Sequence, residues 1–225
     1  MRMKLENTLR DRQLASVGKL LAGYTHELKN HLAIINESSG LMADLLGMTE
    51  SEDEQTRVRF KKIINTIGER IREANGMANH LNSFAHRMDT SLSSFNVNDL
   101  LIEELALIDR VARLKNIRLK VNLQDNIPPI TNNPSLFQFI IFMIIQELTN
   151  SLAAGSVIEI SSHINDQIIR VCLSSTEPLD TIPESPEPDN SDEVLQFVAA
   201  KMNIGLNRTP PGSDPYQIIL TLPST

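Results

Sequence analysis

Thr25-His26-Glu27-Leu28-Lys29-Asn30 lies inside a helical run that the apolar pattern extends from about Arg10 to Leu46. Leu14, Val17, Leu21, Tyr24 and Leu28, followed by His31, Ile35, Ser38, Met42 and Leu45, alternate at three and four residues, the spacing of a heptad seam. Leu14, Leu21 and Leu28 take its a positions, and Val17 and Tyr24 its d positions. His26 falls at f, facing away from the seam, where an imidazole is wet and within reach of a partner. Asn30, four residues on, shares that outer face, and Glu27 sits beside it at g. A histidine, a carboxylate and an amide outside a bundle helix suit phosphoryl transfer. His31 falls on the seam and reads as a packed residue.

A second run, Phe60, Ile64, Ile67, Ile71, Ala74, Ala78, Leu81, Ala85 and Met88, follows the short acidic stretch Thr49-Glu50-Ser51-Glu52-Asp53-Glu54. Two long heptad helices joined by a short loop make an antiparallel hairpin. One hairpin cannot bury both seams together with Leu20, Leu32, Ile34, Leu41, Ile63, Met77 and Phe84. A second copy closing a four-helix bundle can, so a homodimer is expected.

These residues resemble the H-box of two-component histidine kinases, roughly His-Glu-x-x-Asn/Thr. The resemblance implies a dimerisation and histidine-phosphotransfer domain over residues 1–92, with His26 as phosphoryl carrier. It likewise implies Glu27 as acid/base partner and Asn30 as the residue that positions water or the incoming phosphoryl group. Lys29, beside His26, and Lys19 are candidate docking residues for a receiver. Arg57, Arg59, Lys61 and Lys62 read as a solvated face.

Composition sets limits. Among 225 residues, 41% are hydrophobic, Trp is absent and aromatics total 4%, so aliphatic packing should dominate. The longest strictly apolar run, Phe139 to Ile145, is seven residues, far short of a membrane span, and no signal peptide is evident. The single cysteine, Cys172, excludes an intrachain disulfide and a cysteine-cluster metal site. His80 and His86 share no helical face, so no metal is expected there either. These features point to a cytoplasmic protein without membrane insertion. Residues 1–92 hold 13 Lys/Arg against 12 Asp/Glu, and residues 93–225 hold 8 against 16. Such an acidic balance argues against nucleic acid as a partner.

After a polar boundary at Asp89 to Ser94, the segment from Phe95 opens a helix with Asn98 as its expected N-cap, running to about Leu114. Ile117 to Leu123 reads as a half-buried strand and Ile130 as a short one. Pro134 starts a buried helix through Leu152. Val157 to His163 and Gln167 to Leu173 pair across a turn at Asn165-Asp166. Val194 to Met202 is a helix and Tyr216 to Leu222 a closing strand. This order resembles the ATP-binding domain of histidine kinases. The expected fold is therefore a helical hairpin followed by a degenerate kinase-type ATPase α/β sandwich, residues 93–225.

Binding ATP in that family takes two magnesium-site asparagines, an adenine-reading Asp and glycine-rich loops. The matching frame puts Phe142 and Gln146 where the asparagines belong, and a shifted frame offers only Asn150. Val171 to Pro178 contains neither Asp nor Gly, and Asn190-Ser191-Asp192-Glu193 replaces the Gly-x-Gly turn. From Ser174 to Glu193 the chain carries Glu177, Asp180, Glu184, Glu187, Asp189, Asp192 and Glu193, four prolines and no Lys or Arg. A lid so acidic would repel a triphosphate. The expectation is a phosphorelay histidine phosphotransferase without its own nucleotide, its Mg²⁺ supplied by response-regulator receiver domains. Three rivals stand beside it: an active kinase core with an atypical nucleotide site, a non-catalytic dimerisation scaffold, and a receiver phosphatase acting through Asn30.

Overall fold

Heptad spacing marks the N-terminal half and mixed apolar alternation the C-terminal half. A computed structural model describes residues 2–48, 54–88, 91–175, 191–210, 212–213 and 215–223. They form two units, one of residues 21–82 and one of residues 1–20 with 83–225.

Two helices, α1 (Arg2–Met48) and α2 (Glu54–Met88), supply the first unit with residues 21–48 and 54–82, their remaining ends belonging to the second. α1 starts earlier than its apolar pattern announces. The two helices run antiparallel: the Tyr24 hydroxyl donates to Met77 O, and His31 Nδ1 lies 3.3 Å from Glu73 Oε2. Tyr24 and Ile63 are buried within this chain. The heptad pairs Leu21/Leu28 and Ile64/Ile71, with Leu32, stay exposed, Ile64 by 56% and Leu32 by 54%. Among the described residues, the apolar positions therefore divide into a face that meets the other helix and a face left largely exposed. The acidic turn at 49–53 lies outside the described residues.

The second unit is a two-layer sandwich. β1 (Ser93–Phe95) pairs antiparallel with β3 (Ile130–Asn132). β2 (Arg118–Leu123), β4 (Val157–Asn165), β5 (Ile168–Ser175), β6 (Gly205–Arg208) and β7 (Gln217–Pro223) form a five-stranded sheet ordered β2-β4-β5-β7-β6. Only the β2–β4 pair is parallel, so the sheet is mixed. Three helices, α3 (Val97–Leu114), α4 (Pro134–Ser151) and α5 (Ser191–Met202), belong to the unit, as do residues 2–20 of α1 and 83–88 of α2. The strands alternate, with Ile158, Ile160, Ile169, Val171, Leu173, Ile218, Leu220 and Leu222 fully buried and their neighbours along each strand less so, the signature of a sheet packed on one face. α4 is buried almost all round, from Leu136 to Ile145, as its unbroken apolar run requires.

Local chemistry explains the element ends. Asn133 caps α4 by accepting from Leu136 N at 2.9 Å, with Pro134 as first helical residue. α3 is capped by Asn96, which accepts from Asn98 N at 2.8 Å; the expectation of Asn98 as cap is corrected by two residues. Asn98 lies inside the helix, its amide donating to Gln124 O and accepting from Ser162 Oγ. α3 and α5 end on left-handed asparagines, Asn116 (φ 56°) and Asn203 (φ 55°), each followed by an N–H that reaches back five residues, Ile117 to Ala112 O and Ile204 to Ala199 O, both 3.0 Å. The β4–β5 hairpin turns on Asp166 and Gln167, both at positive φ, the two-residue turn that suits strand twist. The sequence pattern placed that turn one residue early and gave no sign of β1 or β6.

Candidate functional site

Helical geometry decides what the His26 side chain can meet. At about 100° per residue, His26 projects to the side of α1 opposite Tyr24, which is buried against α2. His26, Lys29 and Asn30 are accordingly exposed, and Glu27 is half-buried. Asn30 Nδ2 lies 3.3 Å from His26 Nδ1, one helical turn away. The imidazole is therefore held at Nδ1 by a neighbour on its own helix. Which of the two groups donates depends on the imidazole tautomer and the setting of the Asn30 amide.

Glu27 faces the interior side of this arrangement. Its charge acts on the Tyr24 phenol, which burial first and Glu27 second push up to about 12. Tyr24 thus stays a neutral donor to the Met77 carbonyl and fixes the rotation of α1 against α2. His31 is packed between the helices, its side chain 12% exposed. Lys19 is exposed on the part of α1 that belongs to the other unit. The geometry joins His26 to Asn30 directly.

In the C-terminal unit, Phe142 is buried and Gln146 half-buried. Asn150 Oδ1 accepts from Lys115 Nζ at 2.6 Å. Glu147, next to Gln146, is bound by Arg208 through both carboxylate oxygens, and Arg208 Nη2 also reaches Asp192 Oδ1 at 2.9 Å. Desolvation works against the Arg208 charge, and its bonds to Glu147 outweigh it, so the guanidinium is held charged. Among the described residues no three His, Cys, Asp or Glu side chains gather as metal ligands. The acidic, proline-rich segment 176–190 lies outside the described residues. Sequence reasoning passed over Glu104 on α3, which is fully buried. The signal was present: Val97, Leu100, Leu101, Glu104 and Ile108 fall on one helical face, and its fourth member is an acid.

No family model matches the chain. Among curated proteins it is 22% identical over 150 residues to the C4-dicarboxylate transport sensor protein DctS of Rhodobacter capsulatus, covering 67% of this chain and 22% of that protein. It is 23% identical over 167 residues to sporulation kinase E of Bacillus subtilis, covering 74% of this chain and 21% of that protein. The chain thus spans about a fifth of the length of these relatives. Among solved structures, the nucleotide-free catalytic domain of histidine kinase ThkA superposes with a TM-score of 0.52 at 14% identity, over 60% of this chain and 99% of that one. The fold is that of a histidine kinase core. ThkA in complex with the response regulator protein TrrA matches over 100% of this chain and 66% of that chain, with a TM-score of 0.50 at 15% identity. The histidine kinase-like architecture therefore comprises the helical N-terminal region and the mixed α/β sandwich alike. No helix among the described residues is long and apolar enough to cross a membrane.

Proposed function

We propose that this histidine kinase-like chain is a cytoplasmic histidine phosphotransferase of a two-component phosphorelay. The reading rests on one observation: an exposed imidazole on the outer face of a helical hairpin, its Nδ1 engaged by Asn30 at 3.3 Å. In the proposed step, His26 Nε2 attacks the phosphorus of a receiver's aspartyl phosphate. The N–P bond forms as the P–O bond to the aspartate breaks, and the electron pair leaves with the carboxylate. Transfer to a second receiver reverses these events. Such a reaction asks mainly for in-line positioning and charge compensation, and the receiver's own Mg²⁺ supplies the second. Asn30 holds the ring and its tautomer, Glu27 assists proton balance, and Lys19 and Lys29 favour an acidic receiver surface.

Among the described residues, those at the expected magnesium position argue against a magnesium nucleotide. A buried phenyl ring at Phe142 cannot ligate a cation, Asn150 is engaged by Lys115, and Glu147 is neutralised by Arg208. No phosphoryl donor is therefore assigned to the C-terminal unit. The exposed faces of Leu21, Leu28, Leu32, Ile64 and Ile71 support pairing with a second copy, which gives the dimeric four-helix bundle.

The test is incubation with phosphorylated receiver domains. Label should pass to the wild-type chain and not to His26→Gln. The reading fails if receivers donate nothing while ATP labels His26, which would instead mark an active kinase. That kinase reading is favoured by the similarity to sporulation kinase E, and equilibrium binding of an ATP analogue with Mg²⁺ addresses it directly.

A further inference from the structure

Among the described residues, the second unit buries a polar pair that phosphoryl transfer does not use. Glu104 on α3 is 0% exposed and Gln138 on α4 is 1% exposed. Both carboxyl oxygens of Glu104, and both Oε1 and Nε2 of Gln138, have no hydrogen-bond partner among the described residues. Four such atoms in one place carry a heavy desolvation cost unless something meets them. Both side chains line a cavity of about 20 Å³. Its other walls include Gln13, Ser16 and Leu20 of α1 and Phe84 at the end of α2. Ser16, Leu20 and Phe84 are themselves buried. The N-terminal turns of α1 are thus seated over an acid and an amide.

A space of this size holds a single water, which needs two to four polar partners. A carboxylic acid and a primary amide provide them, because the protonated acid donates one bond and accepts another. We propose that Glu104 in its uncharged form, bridged to Gln138 by one internal water, is a proton-dependent latch that fastens residues 9–20 of α1 to α3 and α4.

The surroundings favour the uncharged form. Burial pushes the Glu104 carboxyl up to about 8. Arg87 at the end of α2 works in the opposite direction, and Glu103 on the same helix adds to the rise. Arg87 is itself occupied by Glu103 at 2.6 Å. The side chains of α1 and α4 that face the cavity carry no charge.

Opening the latch exposes the acid to water and returns it to its ordinary range. The closed state then binds a proton that the open state has lost, so closure weakens as pH rises through that interval and levels off above about 8. The same α1 carries His26 beyond Leu20, so the latch acts on the helix that bears the phosphoryl carrier.

Native-state hydrogen exchange on the full chain tests this, with protection factors for amides 9–20 corrected for intrinsic exchange. Between pH 5.5 and 8 the wild-type protection should fall by up to about tenfold per pH unit and then flatten. Glu104→Gln, uncharged at every pH, should show no such slope. Glu104→Met provides the same test should the amide variant misfold. A slope unchanged in the variants, or absent from the wild type, would overturn the proposal. So would protection that depends on potassium against choline at fixed ionic strength, because a buried cation would then sit where the water is placed.

Discussion

Arg208 on β6 grips Glu147 on α4 with two parallel bonds, Nη2 to Oε2 being 3.0 Å, and extends the same nitrogen to Asp192 on α5. One guanidinium thereby ties the edge strand to two helices. The side chains of Arg208 and Glu147 are only 16% and 19% exposed, so removing one partner strands the other's charge. Glu147→Gln should lower stability by about 2–3 kcal/mol, measured by urea denaturation. Asp192→Asn, at an exposed partner, should cost under about 1 kcal/mol.

Asn30 acts on the chemistry only through the ring it holds. Asn30→Ala removes a hydrogen bond worth about 1 kcal/mol, and the rate of phosphoryl uptake from a phospho-receiver should fall about fivefold. Asn30→Asp, which keeps an acceptor against Nδ1–H, should recover most of that rate. Rapid-quench measurement of labelled His26 gives both numbers. His26→Gln should accept no label at all.

The uncovered leucine and isoleucine faces of the hairpin predict a self-association that one charge can prevent. Leu28→Glu and Ile71→Glu should each convert a dimer to a monomer in sedimentation velocity. Lys29→Glu, on the outer side of the same helix, should leave the mass unchanged.

Gly205 pairs with Thr221 across the last two strands. A Cβ built on Gly205 would lie 2.1 Å from Thr221 Oγ1. Gly205→Ala should therefore destabilise the chain by about 1–2 kcal/mol, and Thr221→Ala should relieve most of the loss in the double variant. Thermal unfolding of the two single variants and the double variant measures the coupling.

Much of the architecture could be read from residue patterns because strong local signals agreed with it. Pro134 and the apolar run behind it gave α4, and alternating Val157 to His163 gave β4. Where signals were weak the pattern fell short. Gly205-Leu206-Asn207-Arg208 has one large apolar residue, too few to mark a strand, and its place depends on pairing with β7. Arg2 to Arg10 is rich in charge, which hides the early turns of α1, yet Leu9 is buried there. Asn96 and Asn98 are both competent caps, and the contacts of Asn98 with Gln124 and Ser162 decide between them. At the site, His26 and Asn30 were visible because four-residue spacing on a helix is itself a distance. The place of Glu104 on the apolar face of α3 could also be read, but an acid among leucines passes for surface until its burial is seen.

β7 lies between β5 and β6 in the sheet although it comes after both in the chain. Its Ile218, Leu220 and Leu222 fill the core beneath its neighbours. During synthesis the ribosome must release residue 223 before this layer can close, and until then β5 presents a bare hydrogen-bonding edge. A message truncated anywhere upstream of Gln217 would yield a nascent product with its own aggregation seam, a natural target for chaperones and proteases.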